Sequence, residues 1–308
     1  NLYSNSYLLK LGDAFQIHVD SSARWEAYPV VQQNTFFEHW VRPFLLKDKR
    51  VCVIISDAMR YEIGDELLSL IRQEDRYSAE LKPALSMLPS YTQLGMAALL
   101  PNKTLAIADN DTGTTLVDDQ SSQGTTNRTK ILQAALEGRG QAIRAEEFMQ
   151  LNRDDSREVL KGNDVLYIYH NRIDHTGDKM HSEGQAFEAA EQTLDDLIRL
   201  IKKLTAANAN NLLVTADHGF IYQNRELDES DFLSVPVNGE NVLYRDRRFV
   251  LGKGLAPSPA FHHFSSEQLG LDGDMEVQVP KSINRLRLKG SGSRFVHGGA
   301  SLQEVVIP

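Results

Sequence analysis

The sequence predicts an α/β fold: a central, mostly parallel β-sheet flanked by helices, with a smaller β-rich cap or insertion. Three observations carry that reading. Short, apolar, β-branched runs recur along the chain, each followed by a stretch of helical period. The runs lack in–out alternation, as strands covered on both faces do. The stretch 224–293 loses the rhythm and holds Pro236, Pro257, Pro259, Pro280 and many glycines.

Residues 1–50 read as a lead-in segment packing on the core, with a helix over Asn34 to Leu46 interrupted by Pro43. Val51 to Ser56 is the first buried strand. Arg60 to Arg72 follows as a helix, with Ile63, Leu67, Leu70 and Ile71 on one stripe. Weaker strand signals lie at Thr104–Ala108 and Gln141–Arg144, and 109–128, rich in Asp, Thr, Ser, Gly and Gln, reads as a surface loop. Val165 to Tyr169 is the second buried strand. It leads to a long helix over Ser182 to Leu204, with Phe187, Ala190, Leu194, Leu197, Ile198 and Ile201 on one side. Leu212 to Thr215 is the third. Within 224–293, β-like runs occur at Val242–Tyr244, Phe249–Leu251 and Glu276–Val279. The expected division is 51–223 with 294–308 as the core and 224–293 as the insertion. The glycine-rich Lys289 to Ser293 lacks the spacing of a phosphate-binding loop.

Composition narrows the class. The 33 basic and 42 acidic residues among 308 give a formal net charge of −9, which argues against whole-surface attraction to nucleic acid. The local basic cluster with an aromatic, Arg225 to Arg248 around Tyr244, is a weak candidate for backbone phosphates. No apolar run approaches the ~20 residues that span a bilayer, so no membrane partner is expected. The single cysteine, Cys52, excludes an internal disulfide framework and a cysteine-rich zinc site, and favours the cytoplasm. A chain starting at Asn1 reads as a piece of a longer protein.

The chemistry sits where the apolar runs stop, since open parallel sheets bind ligands beyond their carboxyl ends. The first run stops at Asp57, the second runs into His170 through Asp178, and the third stops at Asp217-His218-Gly219. Singly, such residues read as helix caps, turns or dipole-complementing charges. Together they pose an electrostatic problem, because converging carboxylates resist ionisation unless a cation joins them. Asp and His ligands without Cys suit zinc, manganese or magnesium. Pro89-Ser90-Tyr91-Thr92 precedes an apolar helical stretch. Its hydroxyls are candidate nucleophiles, the competing reading being a simple helix cap.

Asp57, Thr92, Asp174-x-x-Gly177-Asp178, Asp217-His218-Gly219 and His297-Gly298-Gly299 stand in the order of the alkaline phosphatase superfamily. More narrowly, Ile54–Glu62 (IISDAMRYE), Leu88–Thr92 (LPSYT), Tyr169–Asp178 (YHNRIDHTGD), Thr215–Phe220 (TADHGF) and His297–Glu304 (HGGASLQE) resemble the PglZ family of bacterial BREX phage-exclusion systems. The resemblance runs from about Val51 to Pro308. It implies an alkaline-phosphatase-like fold, other BREX proteins as partners, and two divalent metal ions, zinc first, with manganese or magnesium as alternatives. It implies one metal held by Asp57, Thr92, Asp217 and His218, and the other by Asp174, Asp178 and His297. Asp178 stands where related phosphodiesterases carry histidine, which makes the second site harder and weakens a strict zinc preference. His175 is the alternative ligand there. The implied activity is hydrolysis of a phosphate ester, possible substrates including nucleic acid or a nucleotide, with Thr92 as a metal-activated nucleophile. Diester and monoester remain open; Arg60, Arg172 and Lys179 are the candidates for a monoester's extra charge. The rival reading is a metal-binding scaffold of the BREX complex with little turnover.

Overall fold

The computed structural model describes residues 6–7, 9–179, 181–224, 227, 229–288 and 294–308. Lys289–Ser293 and Arg225 lie outside the described residues. Four parallel strands form the central sheet: β1 (Val51–Ser56), β2 (Gly140–Arg144), β3 (Val165–His170) and β4 (Leu212–Thr215). Their order is β2-β3-β1-β4, with Ser56 opposite His170 and Ile55 opposite both Tyr169 and Thr215. All three expected strands are therefore neighbours, and the weaker signal at Gln141–Arg144 is the fourth.

Residue alternation splits the core into two layers. Val51, Val53, Ile55, Tyr167 and Tyr169 face one side, and Cys52, Ile54, Leu166 and Ile168 the other. The second side is covered by helices α2 (Tyr61–Arg72), α5 (Arg153–Gly162) and α7 (Ala186–Ala206), through Ile63, Leu67, Ile71, Leu160, Leu197, Leu200, Ile201 and Leu204. On the first side lie α3 (Thr92–Ala98), through Leu94, Ala97 and Ala98, and α4 (Gly124–Ala135), through Ile131 and Leu132. Among the short helices, α6 (Ile173–Gly177) follows β3, and α8 (Leu302–Val305) lies near the end of the chain. At the other end of the chain, α1 spans Leu9–Ser21.

A second, antiparallel sheet comprises β5 (Gly239–Arg245), β6 (Val250–Leu255), β7 (Phe261–Ser265) and β8 (Glu276–Pro280), in the order β5-β6-β8-β7. Its inner side chains Leu251, Phe264, Val277 and Val279, with Phe249 beside them, join the first core layer. Its outer side closes over Val250, Leu255 and Phe261. The sheet thus shares the core of the parallel sheet.

Several local readings change. Residues 109–128 are partly regular: Thr115–Val117 pairs with Gln120–Ser121 and with Leu105–Ile107. Asp118 and Asp119 make the hairpin turn at φ 48° and 62°, a left-handed pair that Asp tolerates. Pro43 does not interrupt its helix. It sits in the first turn of Arg42–Leu45, where its missing N–H costs little, after a π-helical Phe37–Val41. The long helix starts at Ala186, after a 3₁₀ turn, and Phe187 stays exposed with its ring against Tyr222. β7 went unread because His262 and His263 break its apolar pattern. Among the described residues, no helix is long and apolar enough to cross a membrane.

Candidate metal centre

Asp57 ends β1, and its backbone N–H donates to the His170 carbonyl at 2.8 Å. Ala58 then adopts φ 59°, a region unfavourable for a side chain with a Cβ, and so turns its N–H onto Asp217 Oδ1 at 3.0 Å. Asp217 and His218 end β4. The His218 N–H also donates to Asp217 Oδ1, at 3.0 Å. The backbone at Asp217 is pinned by Gln33, whose amide donates to the carbonyls of Ala216 and Asp217 at 3.1 and 2.7 Å while its oxygen accepts from Met87 N–H at 2.9 Å.

His297 arrives from far along the chain. Ile221–Tyr222, just after His218, pairs antiparallel with Phe295–Val296, just before His297. The rings of His218 and His297 stack at 4.1 Å, 14° from parallel. The loop beyond is built from buried polar bonds. Glu304 accepts from Gly299 N–H at 2.9 Å and Ser301 Oγ at 2.7 Å, and forms a two-bond ion pair with fully buried Arg248. Burial works to raise the Glu304 pKa, yet the Arg248 charge and hydrogen bonds hold it below its ordinary value. Gly298, at φ 112°, has Phe249 where a Cβ would stand.

Thr92 is the first residue of α3, and the preceding Tyr91 supplies no side-chain cap. The helix seats directly on Asp217: a Cβ on Gly95 would lie 2.4 Å from the Asp217 carbonyl oxygen. Thr92 Oγ1 therefore reaches His218 Nε2 at 3.0 Å. Ser90 is buried and structural, donating to the Gly299 carbonyl at 2.7 Å and accepting from Gly298 N–H at 3.2 Å.

Two donor groups result, Asp57 with Asp217 and His218, and Asp174 with His218 and His297, each with ligand atoms within 4.8 Å of one another. His218 Nε2 is 3.7 Å from Asp57 Oδ1 and 3.3 Å from Asp217 Oδ2; His297 Nε2 is 3.6 Å from Asp174 Oδ1. His218 Nδ1 donates to the Gly219 carbonyl at 2.8 Å, which leaves the Nε2 lone pair facing the group. Burial pushes the His218 pKa down to about 3 and that of Asp217 up to about 6. Asp57 is raised well above its ordinary value by burial and then by the Asp217 and Asp174 charges; Asp174 is raised by burial, in part offset by His297. Asp57 Oδ1, Asp174 Oδ1, Asp217 Oδ2 and His297 Nδ1 are buried without hydrogen-bond partners. Unpartnered buried carboxylate oxygens this close together fit a bound divalent cation.

Asp178 lies outside both groups, its carboxylate more than half exposed and 3.3 Å from Arg247 Nη1. His175 is exposed and 2.6 Å from Lys179 Nζ. Of the candidate cations, Arg172 is held by Asp196 at 2.6 Å, Arg60 pairs with Glu62, and Arg248 with Glu304. The Arg245–Arg248 stretch is thus divided among separate contacts and offers no common basic face. Gln33, the positive φ of Ala58 and the pairing of Arg248 with Glu304 were missed from sequence, where Arg248 was read as part of a basic cluster and Glu304 as the end of a motif. The Ser301–Glu304 capping-box spacing was a further signal for Glu304.

A family model for the BREX system PglZ alkaline phosphatase-like domain matches residues 36–308. The chain is 37% identical over its full length to alkaline phosphatase-like protein BrxZ of Escherichia coli O9:H4 (strain HS) and to alkaline phosphatase-like protein PglZ of Bacillus cereus (strain H3081.97). It spans 36% of the length of each of these relatives. Among solved structures, it resembles murine ectonucleotide pyrophosphatase/phosphodiesterase 5, an inactive Thr-to-Ala form in complex with AMP, at TM-score 0.52 and 14% identity, covering 84% of this chain and 87% of that one. Phosphonoacetate hydrolase from Sinorhizobium meliloti 1021, in complex with phosphonoformate, aligns at TM-score 0.50 and 12% identity, over 84% of this chain and 89% of that one.

Proposed function

Because the chain belongs to the PglZ family of BREX alkaline phosphatase-like domains, we propose that it is a metal-dependent phosphoric ester hydrolase working beside other BREX proteins. The observation that carries this reading is the Thr92 hydroxyl set against buried carboxylates that lack partners. Asp57, Asp217, His218 and Thr92 Oγ would hold one divalent cation. Asp174 and His297 would hold the other, completed by Asp178 once released from Arg247. When bound, such cations lower the pKa of a hydroxyl and neutralise charge on phosphoryl oxygens.

Thr92 Oγ gives its proton to solvent water and attacks phosphorus. The Oγ–P bond forms, the bond from phosphorus to the leaving oxygen breaks, and that oxygen takes up a proton from water. Water then splits the phospho-threonine, releasing phosphate or its monoester and restoring the hydroxyl. The seating of α3 on Asp217 keeps Oγ in place through both steps, which is the proximity contribution of the fold. The murine neighbour, inactive as a Thr-to-Ala form and holding AMP, supports a threonine nucleophile and a nucleotide-like phosphate ester.

Hydrolysis of chromogenic phosphodiesters and phosphomonoesters, with added zinc or manganese and with chelator, tests the reading. Thr92→Ala should lose turnover by several orders of magnitude while keeping most metal binding. Thr92→Ser should keep part of the activity and Ser90→Ala most of it, per folded molecule. Near-wild-type turnover by Thr92→Ala would overturn the covalent route. The scaffold reading is favoured by one observation, the turn of Asp178 toward Arg247, which leaves the second group only Asp174 and His297 of its own. Tight metal binding with no turnover on either ester class would establish it.

A further inference from the structure

Asp174 stands on α6, a helix of five residues. A single turn does not hold itself together in water, because fixing its backbone costs more than its first hydrogen bonds return. Arg172, at the N-cap, gives α6 no side-chain cap bond, and Asp174 Oδ1 is buried without a hydrogen-bond partner among the described residues. The direction of the Asp174 carboxylate is therefore set by what holds α6 from outside.

Both ends are held. At the C-terminal end, Gly177 lies against Phe295, where a Cβ would run into the ring, two residues before His297. At the N-terminal end the hold comes from Asp196 of α7. Its Oδ2 accepts from Arg172 Nε at 2.6 Å and lies 3.3 Å from His170 Nε2. Arg172 Nη1 also donates to Gln192 Oε1, one turn earlier on α7, at 3.1 Å. Burial works to raise the Asp196 pKa, yet the bonds from Arg172 and His170 hold it below its ordinary value. An ionised carboxylate only accepts, so His170 Nε2–H donates to it. Burial keeps the His170 ring neutral, and its Nδ1 then accepts from Ser56 Oγ at 3.1 Å. Ser56 precedes Asp57, whose own N–H is on the His170 carbonyl. One chain of contacts thus runs from α7 through the end of β3 to the end of β1. It clamps residues 170–172, the connection from β3 into α6.

We propose that Asp196 is a positioning residue for the second cation: by holding Arg172 and His170 it fixes the start of α6, and so aims Asp174 at the position that His297 shares. The inference rests on the two-cation reading for the identity of the ligand. Asp196 belongs to neither donor group. The competing role is that of an ordinary structural brace, whose loss would weaken the fold without preferring one cation.

Calorimetric titration with manganese separates the two roles. The wild type should take up two equivalents. Asp196→Ala should weaken the second by about 10–100-fold and leave the first, held by Asp57, Asp217 and His218, unchanged. Asp196→Asn should lie between, since one oxygen still accepts from Arg172. Leu204→Ala, which opens a cavity about two turns further along α7, should lower the melting temperature and leave both equivalents at wild-type affinity. Wild-type affinities in Asp196→Ala, equal weakening of both equivalents, or a Leu204→Ala that weakens the second as strongly would each overturn the proposal. A wild type that takes up fewer than two equivalents would reject the two-cation reading, and amide exchange without metal then decides on the clamp. Faster exchange in Asp196→Ala at Thr176 and Asp178, whose N–H groups close α6, with α3 unchanged, would keep it; unchanged exchange would overturn it.

Discussion

Asp217 is fully buried, and burial lifts its pKa from an ordinary 3.8 to about 6. The folded state thus holds a proton that the unfolded chain releases. The stability that this protonation contributes is complete below about pH 4 and is lost as pH rises through about 6. Asp57 adds to the same trend, being raised by burial. His218, held down to about 3 by burial, works the other way: below its ordinary 6.5 the unfolded imidazole takes up a proton that the folded one refuses, so its contribution to stability rises with pH through that window. A divalent cation needs the carboxylates ionised, so below about pH 6 it must displace protons first. The melting-temperature rise on adding manganese should therefore be larger at about pH 7.5 than at about pH 5. Equal rises at both values, in matched ionic strength, would show that Asp217 does not meet the cation. Sequence reading found both partners in this balance, since each ends an apolar strand run. It could not foresee Ala58, whose positive φ supplies one of the two N–H groups on Asp217.

At the level of elements, two seatings hold the site together. The first is α3 on Asp217. An alanine in a helix interior is favoured over glycine by about 1 kcal/mol, but at Gly95 its Cβ would lie 2.4 Å from a backbone oxygen that cannot swing aside. The clash wins, because α3 must tilt away and carry Thr92 with it. Gly95→Ala should lose at least tenfold in turnover, more than its loss in thermal stability accounts for; unchanged turnover would show that α3 is free to shift. The second seating is Arg248 on Glu304, which anchors the loop after His297. Arg248→Ala leaves a buried carboxylate unpaired and should cost about 3–5 kcal/mol in denaturant unfolding. A cost below about 1 kcal/mol would mean that water replaces the guanidinium. The elements themselves were largely legible: β1, β3 and β4 from apolar runs, α2 and α7 from helical stripes. Where reading failed, at Asp118–Asp119, Pro43 and β7, a local pattern had two structural solutions and packing chose between them.

Across the whole molecule, the antiparallel sheet and the parallel sheet draw on one core, with Phe249 and Leu251 in the same cluster as Val53 and Ile55. Phe249→Ala should cost about 3–5 kcal/mol and lower one common unfolding transition, followed by far-ultraviolet dichroism and by the fluorescence of Trp25, which packs on Phe264 of β7. Two separated transitions would show that the sheets unfold independently.

The sequence by itself determined the class of fold and most of the residues that gather at the candidate metal centre. Strands buried on both faces must be largely apolar, so the first acid or imidazole after each run stands out: Asp57, His170 and Asp217 all announce themselves this way. Tertiary structure alone decided which of the matched residues meet. His297 reaches His218 only through the pairing of Ile221–Tyr222 with Phe295–Val296, a contact between segments more than seventy residues apart. Asp178, matched by spacing, turns to Arg247, because side-chain direction after α6 is set by the charge it faces and not by its place in a motif.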